Sequence, residues 1–113
     1  MATKTEYSTL IASIEAAVQL AQDKRFIGFD GKYAGAGESA LGVLQAPTNA
    51  GQQAPVMVYG IPLVLSGTTL ASIGIGIESD ANGKAVPHTT GALLAYLQDV
   101  ATAADQEVRV KLL

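Results

Sequence analysis

The chain has no cysteine, no tryptophan and one histidine, His88, among its 113 residues. Without cysteine there is no disulfide staple, no thiolate metal ligand and no cysteine nucleophile. One histidine rules out a multi-histidine metal site and leaves a Ser-His-Asp arrangement a single candidate base. Charge is scarce at 15% of residues, against about 25% in an ordinary soluble domain. Seven lysines and arginines against ten acidic residues give a net charge of -3. Such a chain has no basic face with which to neutralise a run of phosphates, so nucleic acid is not an expected partner. No apolar run approaches the roughly 18 residues that cross a membrane. Met1 to Leu10, reading MATKTEYSTL, has no apolar core of a secretory signal. Aromatics are few at 5%, and Tyr7, Tyr33, Tyr59 and Tyr96 are spaced too widely to form a base-stacking platform.

What remains is apolar and rich in small residues: 49% hydrophobic, with 12 glycines. That is too apolar for a disordered tail, and the length suits one domain. With few charges to dilute them, apolar patches must reach the surface, and such patches usually mark contact with another protein.

The first nine residues, Met1 to Thr9, are polar and aperiodic and read as a free arm ahead of a single domain over residues 10–113. Leu10 to Ala21 fits a helix through Leu10, Ile14, Ala17, Val18 and Ala21, and fits a strand over Ile11 to Ala16 equally well. From Arg25 onward, short apolar runs alternate with turn signals. Phe26 to Phe29 runs into Asp30-Gly31, Leu41 to Leu44 follows Gly35-Ala36-Gly37, and Val56 to Leu65 follows Asn49-Ala50-Gly51. Ile73 to Ile77 leads to Ser79-Asp80-Ala81-Asn82-Gly83, and Val108 to Leu112 closes the series. This spacing predicts an all-β fold, a small sandwich or barrel. Pro55 and Pro62 suggest that their segment is an edge or a bend rather than a central strand.

The pattern also repeats. Phe26-Ile27-Gly28-Phe29 with Asp30-Gly31-Lys32 resembles Ile75-Gly76-Ile77 with Asp80-Ala81-Asn82-Gly83-Lys84. Gly42-Val43-Leu44-Gln45, Thr48 to Gln52 and Val56-Met57-Val58 are echoed by Tyr96-Leu97-Gln98, Thr102 to Gln106 and Val108-Arg109-Val110. Two pseudo-repeated β units are therefore expected, and Ala92 to Leu97, otherwise open between helix and strand, then reads as extended.

No motif carries a reaction. Gly74-Ile75-Gly76 lacks the third glycine and the helix of a dinucleotide loop and reads as strand. In Asp80-Ala81-Asn82-Gly83 the glycine comes too early for a calcium loop and no closing glutamate follows, so Asn82-Gly83 reads as a type I′ hairpin turn. His88 sits in a polar connection with no carboxylate or nucleophile placed beside it by the sequence. Asp23-Lys24-Arg25 reads either as a small recognition patch or as a solvated turn. No catalytic residue, metal or cofactor is expected.

The succession Phe26 to Gly31, Ala40 to Leu44, and the Gly51 turn into Val56-Met57-Val58-Tyr59-Gly60-Ile61 resembles the tailed-phage capsid cement, or head decoration, proteins. Ser66-Gly67-Thr68-Thr69-Leu70, Glu78-Ser79-Asp80, Asn82 to Pro87 and Val108-Arg109-Val110 continue the likeness, which spans roughly Ile11 to Leu113. It implies a tulip-like β-barrel on the outer surface of the virion head, commonly a homotrimer, that clamps neighbouring major capsid protein subunits. Related arms add a strand to the capsid's own sheet, which makes Thr3, Lys4, Thr5 and Tyr7 the candidate capsid contacts. Two rival functions stand beside this one: a generic oligomeric β-barrel module with another partner, and a small oligomeric hydrolase or isomerase using His88.

Overall fold

The structure is a computed structural model and describes residues 6–113, with the backbone alone for Tyr7, Ser8 and Thr9. Nine strands follow in order: β1 Tyr7–Glu15, β2 Phe26–Ile27, β3 Gly42–Leu44, β4 Gln53–Ile61, β5 Leu63–Leu65, β6 Gly76–Ser79, β7 Ala85–Pro87, β8 Ala95–Leu97 and β9 Glu107–Leu112. No helix is present among the described residues. The fold is all-β, as the run-and-turn pattern predicts. Every pairing within the two sheets is antiparallel; they run β1-β4-β3-β2 and β5-β9-β8-β6-β7.

The ambiguous stretch after Thr9 is strand up to Glu15, paired with β4 from Tyr7↔Ile61 to Glu15↔Gln53. The helical spacing there loses because the strand has a ready partner in β4, whereas a short isolated helix is marginal in water. β1 starts at Tyr7, so pairing begins inside the stretch expected as an arm. Thr3, Lys4 and Thr5 lie outside the described residues.

Pro55 lies inside β4, and β4 is an inner strand, between β1 and β3, which corrects the edge reading. Pro55 accepts a hydrogen bond from Gln45 N at 2.9 Å. Its missing donor therefore faces the side where the three-residue β3 has already ended. Pro62 does mark a bend: it separates β4 of the first sheet from β5 of the second.

The two pseudo-repeated units are real and share a hydrogen-bond plan. In the first, Leu20 and Thr48 exchange both backbone bonds at 2.8 and 2.9 Å; in the second, Leu70 and Ala101 do the same at 2.8 and 2.9 Å. Lys24 N donates to Leu44 O and Leu44 N to Arg25 O, as Gly74 N donates to Leu97 O and Leu97 N to Ile75 O. Ala16 with Gly51 and Gln52 matches Ser66 with Asp105 and Gln106. The left-handed turn positions correspond as well: Lys24 (φ 58) with Gly74 (φ 83), and Gly51 (φ 82) with Asp105 (φ 63). Two details of the sequence comparison change. Thr48 is matched by Ala101 and not by Thr102. Leu44↔Val56 matches Leu97↔Val110, so Val56 corresponds to Val110 and not to Val108, because the β8–β9 connection is longer. Ala95–Leu97 is extended, as the repeat requires.

Each unit closes its own small core. Leu20, Ile27, Leu44, Ala54 and Val56 are buried together in the first, and their counterparts Leu70, Ile77, Leu97, Val108 and Val110 in the second. The units differ on the opposite sheet face. Phe26, Val43 and Met57 of the first unit are buried into the second unit's core. Of the corresponding Gly76, Tyr96 and Lys111, the glycine is covered by Leu93 and His88 and the other two are exposed, Tyr96 at 42%. One apolar side of the first unit therefore holds the pair together, and the matching side of the second leaves Tyr96 and Lys111 exposed.

Candidate interaction surfaces

The described residues contain no group of three or more His, Cys, Asp and Glu placed to hold a metal. His88 is exposed, with Nε2 2.9 Å from Gly91 O. The nearest carboxylate is that of Glu78, which is buried and serves the backbone: Oε1 accepts from Thr89 N at 2.7 Å and Gly91 N at 3.1 Å. The Thr89 donor, then Gly91 and the nearby His88, hold the Glu78 carboxyl below its usual 4.5 against the opposing effect of burial. Gly37 and Gly91 sit beside it, and Gly37 N donates to Ser79 O while Ala92 N donates to Gly37 O. Glu78 thus clasps the loop after β7 where it meets the first unit.

A pH dependence follows. A carboxylate depressed in the fold stabilises it above the unfolded pKa, and that contribution disappears as pH falls through the folded value. Glu78→Gln is expected to unfold at lower denaturant than wild type at about pH 7, the gap narrowing by about pH 3. Urea titrations at both pH values check this.

Asp23-Lys24-Arg25 comes together with Lys84, Asp105 and Glu107 in a cleft between the units. Lys24 pairs with Asp23 (3.6 Å) and Glu107 (3.7 Å), and Lys84 with Asp105 (2.5 Å), which Lys84 holds below its usual pKa. Arg25 lies 5.5 Å from the centre of the Tyr33 ring and bonds Gln22 Oε1. Among the described residues the two lysines are paired with carboxylates, whereas Arg25 meets only neutral partners and its buried Nε has none.

The Asp80 turn closes differently from the sequence expectation. Asp80 N donates to Lys84 O, and Asp80 Oδ1 accepts from Asn82 N and Lys84 N at 2.8 and 2.9 Å. Only Gly83 of the Asn-Gly pair has positive φ, whereas type I′ needs both. The aspartate side chain supplies the turn's closure. Gly74 lies in a turn at φ 83 and β6 starts only at Gly76, which corrects the reading of Gly74-Ile75-Gly76 as strand: the left-handed glycine turns the chain just before the strand begins.

The exposed apolar surface has two concentrations that sequence reading left unassigned. The first is the ribbon of paired strands β1 and β4. Leu10 (49% exposed) pairs with Tyr59 (57% exposed) across two register shifts, and Ile11 lies beside them. Glu6 ties this end to the second sheet, its Oε2 accepting from Leu63 N at 2.7 Å. Tyr7, the one predicted contact whose backbone is described, is the first residue of β1 and pairs with Ile61. The second is the turn after β2, where Phe29 is 65% exposed beside Asp30, Glu38 and Ser39. A small apolar groove of about 130 Å³ lies between the units, lined by Leu41, Val58, Leu93, Leu94 and Leu113 among others. Only local residue identity could have flagged Phe29, because a turn needs no aromatic.

The geometry defines a class first: a two-unit, all-β protein with exposed apolar surface. No family model matches the sequence, and no curated protein is significantly similar to it. The fold is similar to a solved one, the crystal structure of the N base of the head fiber protein gp8.5 of bacteriophage phi29. That likeness has a TM-score of 0.71 at 16% identity and covers 92% of this chain and 93% of the other.

Proposed function

We propose that this chain is a structural protein of a bacteriophage virion. It sits on the outer surface of the head, where it binds the major capsid protein and cements neighbouring subunits, self-associating as a homotrimer. The observation that carries this reading is the likeness to a head fiber N base over nearly the whole of both chains. The low charge, the exposed ribbon and the exposed Phe29 turn support a protein partner. Thr3, Lys4, Thr5 and Tyr7 are the proposed contacts of the N-terminal segment, by strand addition to the shell. Linked subunits gain from multivalency, so each contact can be modest.

A second reading has the same support: the chain is the base of a head appendage and adds nothing to shell strength. One experiment separates the two. Purified protein is mixed with mature heads of the source phage lacking it, sedimented, and the decorated heads are then heated. Saturable binding with a raised temperature of DNA release supports cementing. Saturable binding with unchanged release supports an appendage base, and no binding contradicts both. Removing residues 1–5 is expected to weaken binding about tenfold or more.

A further inference from the structure

The two units provide an internal control for their turns. Gly28 N donates to Lys32 O (2.8 Å) and Gly31 N to Gly28 O (3.3 Å); Asp80 N donates to Lys84 O (2.9 Å) and Gly83 N to Asp80 O (3.3 Å). Gly31 and Gly83 share the left-handed conformation, at φ 80 and 77. The backbone plan is the same, yet the first turn carries Phe29-Asp30 where the second carries Ala81-Asn82. Each turn has one capping aspartate, Asp30 accepting from Lys32 N and Asp80 from Lys84 N, so what the second turn lacks is the aromatic. Phe29 is nonetheless 65% exposed, a ring that the turn itself does not use.

What surrounds the ring indicates what covers it. Phe29 shares a shallow depression with Gly28, Asp30, Glu38 and Ser39. Asp30 Oδ1 accepts from Lys32 N at 3.1 Å and Glu38 Oε1 from Gly35 N at 2.7 Å, so one oxygen of each carboxylate is engaged by the backbone. The glycines make room for both acids. A Cβ on Gly28 would stand 3.0 Å from Asp30 Oδ1, and one on Gly35 2.7 Å from Glu38 Oε1. An exposed ring flanked by two carboxylates matches a guanidinium, which stacks on an aromatic face and bonds carboxylates in its plane.

The geometry points to the Phe29 turn as a docking surface for an arginine presented by the protein that this chain binds. With the head-surface reading, on which this inference rests, that arginine belongs to the capsid shell. Phe29 supplies the buried anchor on docking, and Asp30 and Glu38 supply charge complementarity at its rim.

The test uses full-length protein and mature heads of the source phage lacking it. The change Phe29→Ala installs the residue that the second unit carries, keeps the Asp30 cap and should leave the melting temperature unchanged. It is expected to weaken head binding about tenfold or more. Phe29→Tyr keeps the ring and should bind within about twofold of wild type, and Glu38→Gln should bind more weakly and with a shallower dependence on salt. Wild-type binding that Phe29→Ala and Glu38→Gln leave unaltered would overturn the docking surface while sparing the head-surface reading. Failure of the wild type itself to bind would overturn both.

Discussion

Replacing Met57 by lysine is expected to unfold the protein or come close to it. Met57 is 1% exposed and sits with Phe26 and Val43 where the first unit's sheet packs on the second unit's core. An ammonium there has no carboxylate partner among the residues of that cluster. An uncompensated buried charge costs about 4 kcal/mol, a large part of the 5–15 kcal/mol that a domain has in all. The reciprocal change is the control. Lys111 occupies the corresponding place in the second unit and is exposed, so Lys111→Met should stay within about 0.5 kcal/mol of wild type. Denaturant melts of the two variants decide whether one face alone joins the units. Equal effects would contradict that asymmetry.

Gly42→Ala is expected to be the most damaging single-methyl change. A Cβ at Gly42 would lie 2.0 Å from Met57 O and 2.9 Å from Val56 Cγ1, so the β3–β4 pair must separate to admit it. Backbone cannot yield as a flexible side chain does, and the expected cost is about 3 kcal/mol. For a domain of this size that lowers the melting temperature by roughly 10–20 °C. The corresponding strand position in the second unit is Ala95, paired with Leu112 and Ile77 and fully buried. The two units thus use one strand order with different clearances, and Ala95→Gly is expected to cost about 1 kcal/mol.

These contrasts show what the sequence made legible. The all-β class followed from short apolar runs cut by Gly-rich turns, and the doubled unit followed from their recurrence, because both are local signals repeated along the chain. The register of Val56 against Val110 was not legible, since an inserted residue between β8 and β9 leaves no mark on the apolar pattern. Pro55 misled because proline reports only its own missing donor. The length of the neighbouring β3 decided whether that donor was needed. The asymmetry of the two sheet faces depends on which unit covers which, a tertiary fact. Lys111 beside Leu112 hints at it, but Met57 beside Val56 and Val58 does not. Thr3, Lys4 and Thr5 were chosen through the family resemblance, not from any local signal. Phe29 was read as the end of a strand, and its exposure became visible only when the turn could be set beside its counterpart at Ala81.

The most direct test of the account is an electron cryomicroscopy map of mature heads saturated with this protein. The account predicts density for the two-unit fold on the outer face of the shell, at the junctions between neighbouring capsid subunits, with the N-terminal strand and the Phe29 turn directed at the shell. Heads with no added density, or with density beneath the shell, would contradict it.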